Sequence, residues 1–247
     1  YIELIMADYK AIHGKNILHV ASDLDNAEGE GQIWFNTTSS DYKTIVKVAG
    51  AWAAGNALNT GRGKGANAGT QTAALWAGGE SFSTASEEYN GTTWAEGDNL
   101  TTGRLYIAGT GTQTAGLAFG GRTPPSTKVT LSEEYNGTSW TEGGDIPTGL
   151  DAMSGCGTQT AALGIGGQPP ASNVVNIYDG TSWTNTGDNI NQARYAGSSC
   201  GTTTAALFVG GYTPGVEDVV EEYDGSSWTE VTDMPTASQG GAMSGIQ

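Results

Sequence analysis

The chain has 247 residues and a formal net charge of −16, because 26 Asp and Glu outweigh 10 Lys and Arg. Such a charge repels phosphate backbones and anionic membranes, which excludes nucleic acid as an expected partner. No apolar run approaches the roughly 20 residues needed to cross a bilayer, so membrane insertion is not expected either. With only two cysteines, a disulfide scaffold is excluded.

Residues 1–31 carry no repeated pattern and are predicted to form an N-terminal leader or arm. Residues 6–10 resemble a natural start, so residues 1–5 are expected to be an upstream extension. The leader is expected either to lie on the main domain as a strand or arm, or to act as a docking peptide. It contains both histidines, His13 and His19, whose spacing is not typical of metal ligands. Neither a metal site nor a cofactor is predicted.

A short apolar element ending in two glycines occurs four times along the chain. The copies end at Gly79, Gly121, Gly167 and Gly211, which are 42, 46 and 44 residues apart. Each copy follows a Gly-Thr-Gln-Thr-Ala segment or its variant Gly-Thr-Thr-Thr-Ala, and each precedes a tyrosine with a tryptophan five residues later. The tryptophans are Trp94, Trp140, Trp183 and Trp228. This period predicts small units that bury their apolar faces against one another.

Each unit is predicted to contain four short β-strands. No stretch has the helical period of about 3.6 residues, and Gly, Thr and Asn turns separate the β-prone runs. In the third unit the strands, A to D, are expected near residues 152–156, 161–165, 174–178 and 183–185. Four-stranded units of this size stack around an axis, so the sequence predicts an all-β propeller with four antiparallel strands in each blade.

Complete blades are predicted at residues 59–100, 101–146, 147–190 and 191–234. Residues 32–58 and 240–247 are expected to share one split blade, so that residues 32–247 form a five-bladed ring. Residues 242–245 have the same sequence, Ala-Met-Ser-Gly, as residues 152–155. They are predicted to be an A strand that pairs with the strand near Ile33. Closure would remove exposed strand edges. The alternative is a fragment whose next blade follows Gln247.

These features together resemble the kelch family, whose repeat combines the Gly-Gly pair, the spaced Tyr and Trp, and often an arginine entering the first strand. Arg62, Arg104 and Arg194 stand at the arginine position, whereas the third unit has Leu150. The resemblance covers residues 45–247 and implies a kelch-like β-propeller. More narrowly, the Gly-Thr-Gln-Thr-Ala-Ala-Leu and Tyr-Asp-Gly-Thr-Ser-Trp-Thr wording is similar to kelch-like virion proteins of marine tailed phages.

The B to C loops vary in length while the A to B and C to D turns hardly change. Because alternating strands place the B to C loops and D to A connections on one face, that loop face is the expected binding surface. The candidate ligand-binding residues are Phe82, Arg122 and Tyr212 on the loops, with Arg62, Arg104 and Arg194 nearer the mouth. Aromatic and polar groups of this kind suit sugar or protein recognition. The alternative for Arg62, Arg104 and Arg194 is that they brace the blades.

Other patterns have a structural explanation. Cys156 and Cys200 occupy one position in adjacent blades and are expected to be buried thiols, a disulfide being the alternative. The turns at Asp179 and Asp224 faintly resemble the aspartate box of sialidases, which is itself a structural turn. Acidic pairs precede three of the tyrosines and are expected to be solvated. Calcium binding is the alternative, although the sequence has no Asp-x-Asp-x-Asp-Gly loop. These pairs are Glu87-Glu88, Glu133-Glu134 and Glu221-Glu222.

The sequence favours a non-catalytic protein. Resemblance to phage proteins implies a virion location, on a tail fibre, appendage or capsid, with other virion proteins as partners and a host-surface glycan or receptor as ligand. The alternative is a cellular lectin-like or adaptor propeller, extracellular or cytoplasmic. A hydrolase or oxidase is the weakest hypothesis, because the repeats bring together no acid–base or metal constellation.

Overall fold

The computed structural model describes residues 18–20, 33–38, 40–44, 54–168, 170–185, 187–241, 243 and 245. The chain divides into two compact units, residues 1–54 and 55–247. The first unit contains a three-stranded sheet in the order β1-β2-β3. Strand β1 (Leu18–Val20) runs parallel to β2 (Ile33–Asn36), and β2 runs antiparallel to β3 (Asp41–Thr44).

Strand β2 has neighbours on both edges, which corrects the predicted closing pair. The sequence placed the strand from Ala242 beside Ile33, but the structure places β1 at that edge, with Leu18 opposite Trp34. Ala242, Ser244, Ile246 and Gln247 lie outside the described residues. Closure of a fifth blade is therefore not observed, and part of the predicted leader is a strand.

The second unit contains four antiparallel sheets of four strands each, here called the first to fourth blades. The first blade comprises β4 (Ala66–Thr70), β5 (Ala73–Ala77), β6 (Ser86–Tyr89) and β7 (Trp94–Glu96). The second comprises β8 (Ala108–Thr112), β9 (Ala115–Phe119), β12 (Ser132–Tyr135) and β13 (Trp140–Glu142). The third comprises β14 (Ser154–Thr158), β15 (Ala161–Ile165), β16 (Val175–Tyr178) and β17 (Trp183–Asn185). The fourth comprises β18 (Ser198–Gly201), β19 (Ala206–Tyr212), β20 (Val216–Tyr223) and β21 (Trp228–Glu230).

The B to C connections differ among the blades, as their lengths predict. The first contains a 3-10 turn at Glu80–Phe82, and the second carries a small ribbon of β10 (Arg122–Thr123) and β11 (Thr127–Lys128). In the fourth blade the B and C strands themselves extend into the loop, and Tyr212 pairs with Val216.

The A strand of the third blade begins two residues later than predicted. Ala152 has a φ of 51°, a left-handed conformation that a β-strand does not accommodate, and β14 starts only at Ser154. Lys64, Tyr106 and Ala196 occupy the equivalent positions in the other blades and have φ values of 62°, 58° and 54°. A bend therefore precedes every A strand.

The hydrophobic core lies between neighbouring blades, whose A strands β4, β8, β14 and β18 are successive neighbours. Trp140 of the second blade packs in a cluster with Leu75 of the first. Trp183 of the third blade packs with Phe119 of the second, and Trp228 of the fourth lies in a cluster with Ile165 of the third. We expect the four repeated tryptophans to pack between blades, and these three do so. Trp94 of the first blade is half-buried, belongs to none of these clusters, and donates from Nε1 to the carbonyl of Asn56 at 3.1 Å.

Candidate ligand-binding site

The three candidate arginines lie inside the blades. Arg104 and Arg194 are fully buried and the Arg62 side chain is 4% exposed. Each forms an ion pair with the first glutamate of an acidic pair: Arg62–Glu87 at 2.6 Å, Arg104–Glu133 at 2.9 Å and Arg194–Glu221 at 2.5 Å. Solvation is therefore the wrong role for these three glutamates. The geometry favours the bracing alternative for the arginines, since a buried, paired guanidinium offers no donor to a ligand.

In the first, second and fourth blades the same arginines contact the glycine pair, whereas the third blade has Gly166 and Gly167 without an arginine. Each guanidinium donates a hydrogen bond to the carbonyl of the first glycine, as Arg104 does to Gly120 at 2.8 Å. The second glycine donates its N–H to the next blade, as Gly121 does to Leu150 at 2.9 Å. Both glycines have positive φ, 63° at Gly120 and 91° at Gly121, which side chains at these positions would disfavour. Arginine and glycines thus form one structural device.

The third blade lacks both members of this ion pair. Leu150 replaces the arginine. Asn176 occupies the position at which the other blades have Glu87, Glu133 and Glu221. Asn176 is buried, and neither polar atom of its side-chain amide has a hydrogen-bond partner. Loss of the cation and of the anion therefore occur together, which avoids an unpaired buried charge.

The uniform turn residues connect one blade to the next. The side-chain amide of Gln113 donates to the carbonyls of Ala74 and Tyr89 in the first blade, at 3.2 and 2.7 Å. Gln159 donates to Gly116 and Tyr135 in the second blade in the same way. This contact explains the recurrence of Gly-Thr-Gln-Thr without any ligand.

Tyrosine hydroxyls and turn side chains complete the frame. Tyr135 donates to Glu88 and Tyr178 donates to Glu134, each across a blade boundary. In each C to D turn, one side-chain oxygen of an Asn or Asp accepts hydrogen bonds from two backbone N–H groups, as Asp224 does from Ser226 and Ser227. Hydrogen bonds from these two serines lower the pKa of Asp224 to about 2. The aspartate-box-like turn is structural here.

A chain of main-chain hydrogen bonds runs across the blades just before the A strands. After the first bend, at Lys64, each residue at a bend donates its N–H to the carbonyl of its counterpart in the preceding blade, with N···O distances of 2.7 to 3.1 Å. The chain runs through Lys64, Tyr106, Ala152, Ala196 and Gly240. Gly240, with a φ of 64°, therefore aligns with Ala152.

Two cavities lie along the A strands of the second unit. One, of about 320 Å³, opens at the bends and is lined by Lys64, Tyr106 and Ala152. The other, of about 310 Å³, is lined by Thr110, Cys156 and Cys200 on the side of the A to B turns. Both cysteines are buried and free, and burial raises the pKa of Cys156 to about 12. These thiols are packing groups, and neither is poised as a nucleophile.

Beside the first of these cavities, four side chains form what we call the Tyr106 cluster: Lys64, Tyr106, Arg122 and Asp151. The Lys64 ammonium lies 5.1 Å and the Arg122 guanidinium carbon 4.5 Å from the centre of the Tyr106 ring. Arg122 Nε lies 3.6 Å from the buried Asp151 carboxylate. Burial raises the pKa of Asp151, while Arg122 and Lys128 act in the opposite direction. The cluster presents two cations and a phenol on one surface.

The three loop residues predicted to bind ligand are all half-buried on the loop face, in different blades. Backbone bridges join Leu105 to Arg122 and Tyr195 to Tyr212, so the D to A connections meet the B to C loops as predicted. The Tyr195 and Tyr212 rings lie 5.5 Å apart. In the described part of the chain, no ring contact joins Phe82 or Tyr212 to the Tyr106 cluster. Sequence reasoning missed Lys64, Tyr106 and Asp151. Lys64 and Tyr106 lie two residues after Arg62 and Arg104, at a position whose residue varies among the blades, and Asp151 directly follows Leu150.

The described residues lack both a cluster of metal-binding side chains and a membrane-spanning helix. Within the described ranges, no group of three or more His, Cys, Asp and Glu side chains could hold a metal ion. The same ranges contain no helix that is long and apolar enough to cross a membrane.

The four-stranded antiparallel sheets of the second unit have the strand arrangement of β-propeller blades. Among solved structures, the chain is similar to that of YjhT, a kelch-repeat propeller protein, with a TM-score of 0.63 and 13% identity over 75% of this chain and 69% of that chain. At this identity the likeness concerns the fold alone. No protein-family model matches the chain, and no curated protein is similar to it in sequence.

Proposed function

We propose that the protein is a non-catalytic binding module, carried on a virion, that recognises a host-surface glycan or protein through the loop face of its propeller. One observation carries the proposal. The residues repeated in every blade are used in blade construction, whereas the half-exposed aromatic and cationic side chains lie on loops that differ between blades. A frame of this kind leaves the loop face free to bind.

Binding is tested by comparing two triple variants of the full chain. Replacing Phe82, Arg122 and Tyr212 with Ala should abolish binding to host cells or to a glycan array, since it removes the loop-face side chains. Replacing Thr72, Thr114 and Thr160 with Ala changes exposed residues of the A to B turns and serves as the matched control. Circular dichroism checks that both variants fold. Equal binding by the two variants would contradict the loop-face assignment.

The virion location has its own test. Peptides of this chain should be found by mass spectrometry in purified particles, at a constant ratio to capsid protein across a density gradient. Recovery only in the soluble fraction would favour the cellular adaptor alternative.

We also propose that the propeller has five blades. The support is the fifth bend at Gly240, which donates to Ala196 as the other bends do to their neighbours, and Gly211, whose N–H reaches Ser238 at 2.8 Å. Deleting residues 240–247 should uncover part of the packing face of the fourth blade and cause aggregation or a clear loss of thermal stability. Unchanged melting would leave the array with four blades.

A further inference from the structure

The free cations of the second unit are concentrated at one place. Residues 55–247 contain six Lys and Arg, and Arg62, Arg104 and Arg194 are buried in ion pairs. Of the other three, Lys64 and Arg122 both lie over the ring of Tyr106, with side chains that are 44% and 25% exposed. Each of these two cations has one carboxylate nearby, Glu80 for Lys64 and Asp151 for Arg122, and each keeps part of its side chain exposed.

The geometry of this cluster is fixed by the fold. The Tyr106 N–H donates to the Lys64 carbonyl at 2.8 Å, which ties the two residues together across the first blade boundary. Arg122 is held by its backbone bridge to Leu105 and by the Asp151 carboxylate 3.6 Å from Nε. Cations that are positioned before binding lose little conformational freedom when a ligand arrives.

The bonding capacity that a ligand can reach at the cluster lies on its two cations, because the Asp151 carboxylate oxygens, which also lack hydrogen-bond partners, are buried. Arg122 Nε has no hydrogen-bond partner, because the distance to Asp151 exceeds hydrogen-bond length. The carboxylate that pairs with Lys64 is the exposed one of Glu80, at 3.4 Å, a contact that water and ions readily replace. A planar guanidinium matches the paired oxygens of a carboxylate or sulfate, and an ammonium adds a further donor.

We propose that Lys64 and Arg122, which both contact the Tyr106 ring, bind an oxyanion: a carboxylate or a sulfate ester carried by the ligand. This inference rests on the proposed function of the loop face as a binding surface and narrows the ligand to acidic molecules. Asp151 acts as a positioning residue that holds Arg122 against the ring.

The direct test titrates sodium sulfate and sodium acetate into the ¹⁵N-labelled full chain, with sodium chloride at equal ionic strength as the reference. The amide signals of Lys64 and Tyr106 should shift and saturate with sulfate or acetate but not with chloride. Lys64→Gln and Arg122→Gln should each weaken binding by about tenfold, because each removes a charged donor. Lys128→Gln removes the same charge from the neighbouring strand β11 without touching the Tyr106 ring and should change the affinity less than about twofold.

The outcomes separate this inference from the proposed function. An equal loss in all three single variants would overturn the site, since it would reflect only the general field. Binding of neutral oligosaccharides on an array as tightly as sulfated or carboxylated ones would overturn the acidic ligand while leaving glycan binding intact. A loop-face variant that keeps host binding overturns the proposed function, whereas saturable sulfate shifts in the wild type would still support an oxyanion site.

Discussion

The boundary between the second and third blades and that between the third and fourth are built from different chemistry on the same backbone plan. At the first, Trp183 Nε1 donates to Ser132 at 2.8 Å, Tyr178 donates to Glu134, and the Gln159 amide reaches two carbonyls. At the second, all three polar links are missing. Val175 replaces the serine, Ile177 the glutamate and Thr203 the glutamine.

The third-to-fourth boundary is held together by apolar packing instead. Ile177 packs against a buried cluster that includes Ile165 and Phe208, and the Trp228 N–H is buried without a partner. The boundary keeps the main-chain hydrogen bond from Ala196 to Ala152 and a 2.7 Å hydroxyl contact between Ser154 and Ser199, so apolar packing replaces only the three side-chain links named above. The Trp228 N–H is the one donor of these three links that stays buried without an acceptor, and an unsatisfied buried donor is costly.

The largest effect is expected from breaking a buried ion pair. Glu133→Leu leaves the fully buried Arg104 without its carboxylate and should lower the free energy of unfolding by about 3–5 kcal/mol. Urea unfolding followed by tryptophan fluorescence measures the loss.

The matched control gives the second blade the uncharged residue pair of the third blade. Arg104→Leu combined with Glu133→Asn reproduces Leu150 and Asn176 and should cost less than Glu133→Leu alone, because no charge is stranded. A double variant less stable than the single one would show that the pair contributes more than it costs to bury.

A smaller difference should separate two tryptophans that are alike in packing. Trp183→Phe strands the Ser132 hydroxyl, whereas Trp228→Phe removes an N–H that already lacks a partner. Since both lose the same volume, Trp183→Phe should be the more destabilising by about 1–2 kcal/mol. Thermal unfolding of the two variants side by side gives the difference.

Val175→Ser checks the cause by offering Trp228 an acceptor. Combined with Trp228→Phe in a double-mutant cycle, it should show a coupling of about 0.5–1.5 kcal/mol. A coupling of zero would mean that the unpaired N–H is not what distinguishes the two boundaries.

The blade plan was predictable because each blade repeats it. Gly-Gly, Tyr-x-Gly-x-x-Trp and Gly-Thr-Gln-Thr each mark a turn or a contact that recurs, and the third-blade strands at 161–165 and 183–185 lie where the sequence predicts them. The A strand was misplaced because nothing in Ala152 signals a left-handed bend. The pairing of β2 with β1 was also unpredicted, since Leu18–Val20 belongs to no repeat.

The candidate site was less predictable than the frame. Arg62, Arg104 and Arg194 drew attention because arginine is a common ligand-binding residue, yet their partners lie some 25 to 29 residues away in sequence and only the fold brings them together. Lys64, Tyr106 and Asp151 come from three blades and share no motif. Their meeting depends on the bend hydrogen bonds, which involve only the main chain and leave no trace in side-chain identity.

That independence has a practical consequence for engineering. Because the bends at Lys64, Tyr106, Ala152, Ala196 and Gly240 are joined through backbone atoms, their side chains could be exchanged without removing a single link between blades. The restriction is conformational, since residues that tolerate positive φ, such as Asn, Asp and Gly, suit these positions best. A library varied at these five positions would line one rim of the cavity with new chemistry, and so turn the propeller into a scaffold for selecting binders.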